Sequence, residues 1–362
     1  MPSTPISRKA FVTAAAGSLA AVGLGASAVA PAQAAGPIVV KKVKDLTGPG
    51  LTTAYRMEAT DLGIPARTPD GRTLYVFGDT FEQAHVGGGW WRSPVALWSN
   101  TTDLASGVTW SGAVGGAAAE QLWAYEHNNA VFSTVLPSDV ITIGNSMYLH
   151  VMVNKGLGNV VWTEIWRSDD SGAHWVHTGA KFASDLHGGL FQLLTWGLGN
   201  DGYVYIYSTG FQRDKPIIMH RVKSQDIANP AAYQPWGYAA GSWGWGNPPT
   251  PILNGKFGEM SLRPLGGKWI LTWFCSDDDN WRIDGIIMDS PTSNLYTAKR
   301  RTLINHADWG SEDDSHVAQL YGGYVIPGST LDDLHLSVSQ WNTSANWPYR
   351  VMQFRVKGFG SS

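Results

Sequence analysis

One short pattern returns five times along this chain of 362 residues and limits what it can fold into. Leu74-Tyr75-Val76-Phe77-Gly78-Asp79, Met147-Tyr148-Leu149-His150-Val151, Tyr203-Val204-Tyr205-Ile206-Tyr207, Trp269-Ile270-Leu271-Thr272-Trp273 and Leu334-His335-Leu336-Ser337-Val338 are strand-like runs at near-regular intervals. Each is followed by a small or polar patch and a further strand-like run, and no long stretch of helical period interrupts them. Every interval has room for about four short strands with loops, and radial repetition of such sheets limits exposed edges. The pattern predicts an all-β fold, a five-bladed β-propeller, with a β-sandwich as the alternative.

Ser168-Asp169-Asp170-Ser171-Gly172-Ala173-His174-Trp175 supports the propeller. It resembles the Asp-box of propeller hairpins, in which the aspartate accepts turn amides and the glycine supplies a permissive backbone angle. It reads as a mark of the fold and not as a catalytic site.

The beginning of the chain reads differently. Arg8 and Lys9 precede an Ala/Gly/Val-rich stretch from Ala10 to Ala30, and Ala32-Gln33-Ala34 stands ahead of Ala35. This is the pattern of a signal peptide, residues 1–34, with a lysine where the twin-arginine signal has its second arginine. A secreted protein with one catalytic domain over residues 35–362 is expected, with no membrane contact after cleavage and a monomer as its working form. Cys275 is the only cysteine, so stability has to come from a large packed core. With a formal charge of −3 and no Lys/Arg run, nothing points to nucleic acid as a partner.

Residues 58–92 carry the chemistry. If the turn Pro69-Asp70-Gly71 centres on Asp70, antiparallel partners have numbers summing to about 140, which sets Asp61 opposite Asp79. Like charges directly opposed destabilise a sheet, so a fold that keeps the pair has a use for it. Paired carboxylates suit glycoside hydrolysis, one protonated toward the leaving oxygen and the other ionised. Repulsion between them raises one pKa. Two other uses stay open at this point: each aspartate capping a turn, or the pair holding a cation such as calcium through its oxygens.

Thr60-Asp61-Leu62-Gly63-Ile64-Pro65, Phe77-Gly78-Asp79-Thr80-Phe81, Trp91-Arg92-Ser93, Tyr321-Gly322-Gly323-Tyr324 and Ser339-Gln340-Trp341-Asn342 together resemble a bacterial domain family long carried as one of unknown function. Its characterised members are endo-D-arabinanases acting on mycobacterial-type arabinan, in arabinogalactan or lipoarabinomannan. The resemblance spans most of the chain after the signal and implies a five-bladed propeller. It also implies an inverting hydrolase with Asp61 and Asp79 as its acid/base pair and a polysaccharide as its partner. The family commonly has asparagine after Trp-Arg-Ser, where this chain has Pro94.

Arg92, Glu259, Arg263, Gln340 and Asn342 fall at repeat positions suited to facing a central cavity, as substrate-binding residues. Glu259 is the candidate third carboxylate, since arabinanase-type propellers often take a glutamate acid from a later blade. Trp91, Trp273 and Trp341 are the expected sugar-stacking platforms. His306, His316 and His335 lack the spacing of a metal motif, so no metal or required cofactor is expected. No G-x-S-x-G, H-E-x-x-H, phosphate loop or dinucleotide fingerprint is found. The competing readings are a carbohydrate-binding propeller without catalysis and a sialidase-like hydrolase. The second needs an arginine cluster to which Arg92 and Arg263 could contribute.

Overall fold

Strand-forming runs separated by glycine-rich turns make five blades set around an axis, the third and fourth hydrogen-bonded into one sheet where Lys215–Lys223 pairs with Leu253–Leu265. The computed structural model describes residues 37–277 and 280–361, and the expected signal peptide lies outside them. Blade 1 comprises Ile64–Arg67, Thr73–Phe77, Val95–Ser99 and Gly112–Ala113, extended by a small sheet of Ala59–Thr60, Thr80–Phe81 and Trp91–Arg92. Blade 2 runs through Thr134–Ile143, Ser146–Asn154, Val160–Ser168 and Val176–Ala183. Blade 3 has Leu193–Leu198, Tyr203–Thr209 and Lys215–Lys223, with an added hairpin of Gln234–Ala239 and Ser242–Trp245. Blade 4 has Leu253–Leu265, Lys268–Cys275, Arg282–Met288 and Arg301–His306. Blade 5 has Leu320–Val325, Asp333–Trp341 and Tyr349–Lys357, and its outer strand is the first in the chain, Val39–Asp45.

The fold is a five-bladed β-propeller. The innermost strands touch in cyclic order, Ile64–Arg67 with Thr134–Ile143, then Leu193–Leu198, Leu253–Leu265 and Leu320–Val325, and from there back to Ile64–Arg67. Each of the five recurring segments lies on the second strand of its blade. Their apolar side chains fill the layers between blades, where Val76, Leu149, Ile206, Leu271 and Leu336 are fully buried. The Asp-box motif forms the last turn of blade 2. Asp170 Oδ1 accepts from the His174 amide at 2.9 Å, and the Trp175 indole donates to the Gly172 carbonyl at 3.0 Å. Gly172 has φ +90°, and a Cβ there would meet Leu74 of blade 1 at 2.6 Å, so both conformation and space call for glycine.

Around the axis a buried ion pair joins blades 2 and 4. Asp139 of blade 2 is fully buried and accepts from Arg263 of blade 4 at 2.7 and 2.9 Å. It also accepts from the Thr195 hydroxyl and the Trp196 amide of blade 3, at 2.7 and 2.8 Å. Three blades thus share one fully bonded carboxylate. Removing one member of such a pair strands the other charge, so Asp139→Ala is expected to lose about 3–5 kcal/mol of stability in equilibrium chemical denaturation. A loss under about 1 kcal/mol would show that the blades are held without it.

Candidate active site

The register around Asp61 and Asp79 follows from two flanking ladders. Ile64 pairs with Val76 and Ala66 with Leu74 on one side, and Thr60 with Thr80 and Ala59 with Phe81 on the other. All four pairs obey the same turn, so Asp61 and Asp79 stand opposite each other where the two ladders meet. The ladder breaks there because Leu62 and Gly63 both adopt left-handed backbone, with φ +66° and +65°. Leucine is strained in that region, and strain of this kind gathers at functional sites. Blade 5 holds the kink in place: the Leu62 amide donates to Ser339 Oγ at 2.8 Å, and a Cβ on Gly63 would lie 2.9 Å from Ser337 Oγ and from Val351. Gly78 completes the fit, since a Cβ on it would fall 2.4 Å from Asp61 Oδ1.

Both carboxylates reach a cavity of about 440 Å3 whose walls come from all five blades. Asp61 Oδ2 accepts from the Tyr321 hydroxyl at 2.9 Å, and the Tyr349 hydroxyl is near enough to the same carboxyl to oppose a rise in its pKa. Asp61 Oδ1 has no partner among the described residues. Burial pushes the Asp61 carboxyl up to about 7, with the charge of Asp79 adding to the rise and the two tyrosine hydroxyls opposing it. Asp79 Oδ1 accepts from the Trp91 indole at 2.8 Å and from Thr134 Oγ1 at 2.9 Å. Burial raises Asp79 as well, and these two donors pull it back.

Glu259 is the third carboxylate of the cavity. It is 3% exposed, its Oε1 accepts from Arg213 Nη2 at 2.5 Å, and its Oε2 has no partner among the described residues. Arg213 stands 5.0 Å over the rings of both Tyr321 and Phe274. Leu136, Met152, Phe211, Trp281 and Trp341 supply apolar wall. Among the described residues, no three His, Cys, Asp or Glu side chains converge in a way that could hold a metal ion.

Of the residues singled out in the sequence, the structure brings Asp61, Asp79, Glu259 and Trp341 to the cavity and leaves the others outside its lining. Trp91 supports Asp79 through its indole nitrogen and stacks on His127 at 3.8 Å. Arg92 is buried beneath the site, donating to the carbonyls of Ala119 and Arg56. Arg263 is committed to Asp139. Trp273 is fully buried, packed on Phe257. Gln340 is fully buried, donating to the Ala318 carbonyl and accepting from Arg350 Nε. Asn342 caps a turn by accepting from the amides of Ser344 and Ala345. Tyr321, Tyr349, Arg213 and Thr134 were not singled out. Only Tyr321 had a signal in the sequence, its place in the Tyr-Gly-Gly-Tyr motif.

Comparison with known proteins agrees with the architecture. A putative hydrolase from Bacteroides ovatus superposes with a TM-score of 0.61 at 14% identity, over 90% of this chain and 93% of that one. An α-L-arabinofuranosidase from Podospora anserina superposes with a TM-score of 0.50 at 10% identity, over 88% and 96%. These likenesses are of fold. In sequence, an uncharacterized 35.9 kDa protein in the asd 3' region of Mycolicibacterium smegmatis is 32% identical over 329 residues, covering 85% of this chain and 96% of that one. Notoamide biosynthesis cluster protein J' of Aspergillus versicolor is 29% identical over 320 residues, covering 81% and 83%. The model of one family, described as Domain of unknown function (DUF4185), matches residues 47–355, and the chain belongs to that family.

Proposed function

We propose that this protein is a secreted glycoside hydrolase, an endo-D-arabinanase that cleaves D-arabinofuranosyl linkages of mycobacterial-type arabinan with inversion. One observation carries the reading: two carboxylates opposed in one cavity, with a protonated form favoured on Asp61. Asp61 lies in surroundings that hold a proton to about 7, and its Oδ1 lacks a partner among the described residues. Asp79 keeps two donors that favour its ionised form. We therefore assign Asp61 as general acid and Asp79 as general base. The Asp61 proton passes to the glycosidic oxygen as the bond from that oxygen to the anomeric carbon breaks. A water attacks that carbon from the opposite face and gives its proton to Asp79.

The apolar wall of Leu136, Met152, Phe211 and Trp281 limits competing water, and Trp341 offers a ring for a sugar to lie against. The propeller fold also serves the α-L-arabinofuranosidase of Podospora anserina, which is compatible with a furanoside substrate. The choice of D-arabinan, of internal linkages and of inversion rests on the motifs of residues 60–65 and 77–81 and their resemblance to endo-D-arabinanases. A polysaccharide outside the cell fits the export signal expected over residues 1–34. The sialidase-like reading loses ground, because Arg213 is the one arginine of the described lining and Glu259 engages it.

Incubation with mycobacterial arabinogalactan, with plant L-arabinan in parallel, is expected to release a ladder of arabino-oligosaccharides from the first alone. Products from neither would remove the proposed activity. Asp61→Asn and Asp79→Asn should each lower kcat/KM on arabinogalactan by roughly 10²–10⁴-fold while circular dichroism stays native. On an aryl arabinofuranoside, whose leaving group needs little protonation, Asp61→Asn should be much less impaired, whereas Asp79→Asn should stay slow. Equal losses on both substrates would refute the assignment of the acid.

The pH dependence has a defined sign. An acid must carry its proton, so activity should fall as pH rises through about 7, where Asp61 ionises. Stability follows the same group. Its folded pKa lies above the unfolded value of 3.8, so between these values the native state binds more protons and loses stability as pH rises. Asp61→Asn should therefore be more stable than the parent at pH 8, by on the order of 1–3 kcal/mol given the carboxyl's access to cavity solvent. The two should unfold alike near pH 3, and an Asn variant less stable than the parent at pH 8 would contradict the raised pKa.

A further inference from the structure

The hairpin Gln234–Ala239 and Ser242–Trp245 hangs on the outer edge of blade 3, its first strand pairing with Lys215–Lys223. Its register sets Trp236 opposite Trp245 and Tyr238 opposite Trp243. Cross-strand partners share a face, and so do residues two apart, so all four rings stand on one side. Between them Gly237 pairs with Gly244. A Cβ on Gly237 would fall 1.7 Å from the Pro248 carbonyl oxygen, so the following segment lies flat against the back of the hairpin and braces it.

The two inner rings are anchored. Trp236 and Trp245 lie 4.8 Å apart, and the Arg221 guanidinium sits 4.3 Å over the rings of both Trp245 and Tyr203. The outer two are open to solvent, Tyr238 at 53% and Trp243 at 42%. Trp243 stacks across the diagonal on Trp236, with centroids 6.0 Å apart and planes within 19°. The result is a braced platform of near-parallel indoles with a tyrosine beside it. None of the four rings lines the cavity of Asp61 and Asp79.

The chemistry of the surroundings narrows the occupant. No charged side chain occurs from Gln234 to Thr250. The adjacent cation, Arg221, is held by the rings and by Gln234 Oε1 at 2.9 Å. A neutral surface offers nothing to a phosphate backbone or an acidic peptide. Two freed aromatic rings offer roughly 300–500 Å2, short of the ~800 Å2 a side that a stable protein interface buries, which argues against a second copy of the chain. Flat rings edged by the Gln234 amide suit instead a chain of uncharged sugars, whose C–H faces stack on indole while hydroxyls bond at the rim.

We propose that this hairpin is a second, non-catalytic carbohydrate-binding surface, holding a neutral polysaccharide against Trp243, Tyr238 and Trp236. The choice of a glycan rests partly on the proposed function above. The experiment uses the full chain carrying Asp61→Asn to stop cleavage, with and without Trp243→Ala and Tyr238→Ala, on immobilised mycobacterial arabinogalactan, xylan and cellulose. The expected result is retention of the parent on at least one of them, weakened roughly tenfold in the double variant and kept in Trp243→Phe, which preserves a ring. With the aspartates intact, the double variant should hydrolyse short soluble arabino-oligosaccharides like the parent.

Equal retention of parent and double variant overturns the proposal, as does a parent that none of the three glycans retains. Sedimentation showing a parent dimer that the double variant abolishes also overturns it, in favour of a second copy. The two proposals fail separately. Cleavage of arabinan with unchanged retention sinks the hairpin site alone, whereas ring-dependent retention without cleavage sinks the hydrolase alone.

Discussion

The whole arrangement depends on closing the ring without a covalent link. With Cys275 as its only cysteine, the chain can form no internal disulfide, and the first strand does the closing: Val39–Asp45 completes blade 5 by pairing with Tyr349–Lys357. The chain then crosses into blade 1, where the Leu46 amide donates to the Val351 carbonyl at 2.8 Å and the Val351 amide donates to Thr47 Oγ1 at 2.9 Å. Asp61 arrives beside blade 5 as a consequence. Tyr321, which bonds its carboxyl, Tyr349, which lines the cavity with it, and Ser339, which holds its kink, all belong to the blade that the first strand completes. The groups that temper the Asp61 carboxyl are thus set by the closed ring, whereas the charge of Asp79, which adds to the rise in its pKa, comes from the hairpin that carries it.

The interior shows two ways of burying a carboxylate. Asp139 is surrounded by donors from blades 3 and 4, and Asp284 by Arg282, Arg300 and Thr302. Each has bonds enough to offset desolvation, and each joins strands. Among the described residues Asp61 differs in having no cation within bonding distance, one oxygen unpartnered and a second carboxylate opposite. A protein that satisfies its other buried aspartates so fully has left this one short of partners. A buried group in that condition can exchange a proton near neutral pH, which is a requirement of a general acid and of no use to a strut.

How much of this was legible in the sequence follows from the range of the interactions. The hairpin of residues 59–81 could be registered by its turn alone, because antiparallel pairing is local arithmetic once Asp70 is at the bend. The five recurring strands were visible because each carries apolar residues at alternate positions that pack between blades. The partners of Asp61 and Asp79 were not visible: Tyr321, Tyr349 and Thr134 come from other blades, and only three-dimensional closure brings them near. The overestimate of cavity residues has a geometric cause. Glu259 and Arg263 share a strand and a face, but four residues separate them by roughly 13 Å, so Glu259 reaches the cavity and Arg263 lies well down the axis beside Asp139. Gln340 and Trp341 are adjacent, and neighbours on a strand point opposite ways, so only one of them could face the site.

Arg213 is engaged by Glu259 and bonds neither aspartate. Three carboxylates share the cavity with one guanidinium, and Glu259 holds it at 2.5 Å. Arg213 is projected from the turn between two strands of blade 3, with φ +62°, and the neighbouring Gln212 ties that turn to blade 2 through the Gly158 carbonyl at 3.1 Å. From there its charge meets the ring of Tyr321 and not the carboxyl that Tyr321 bonds. Neither aspartate therefore has a cation of its own, and once Asp79 is ionised a second negative charge opposite it is opposed both by repulsion and by burial. Were Arg213 turned toward Asp61 instead, its charge would favour the ionised carboxyl and lower that pKa. With Arg213 engaged by Glu259, burial and the charge of Asp79 are left to raise the Asp61 carboxyl.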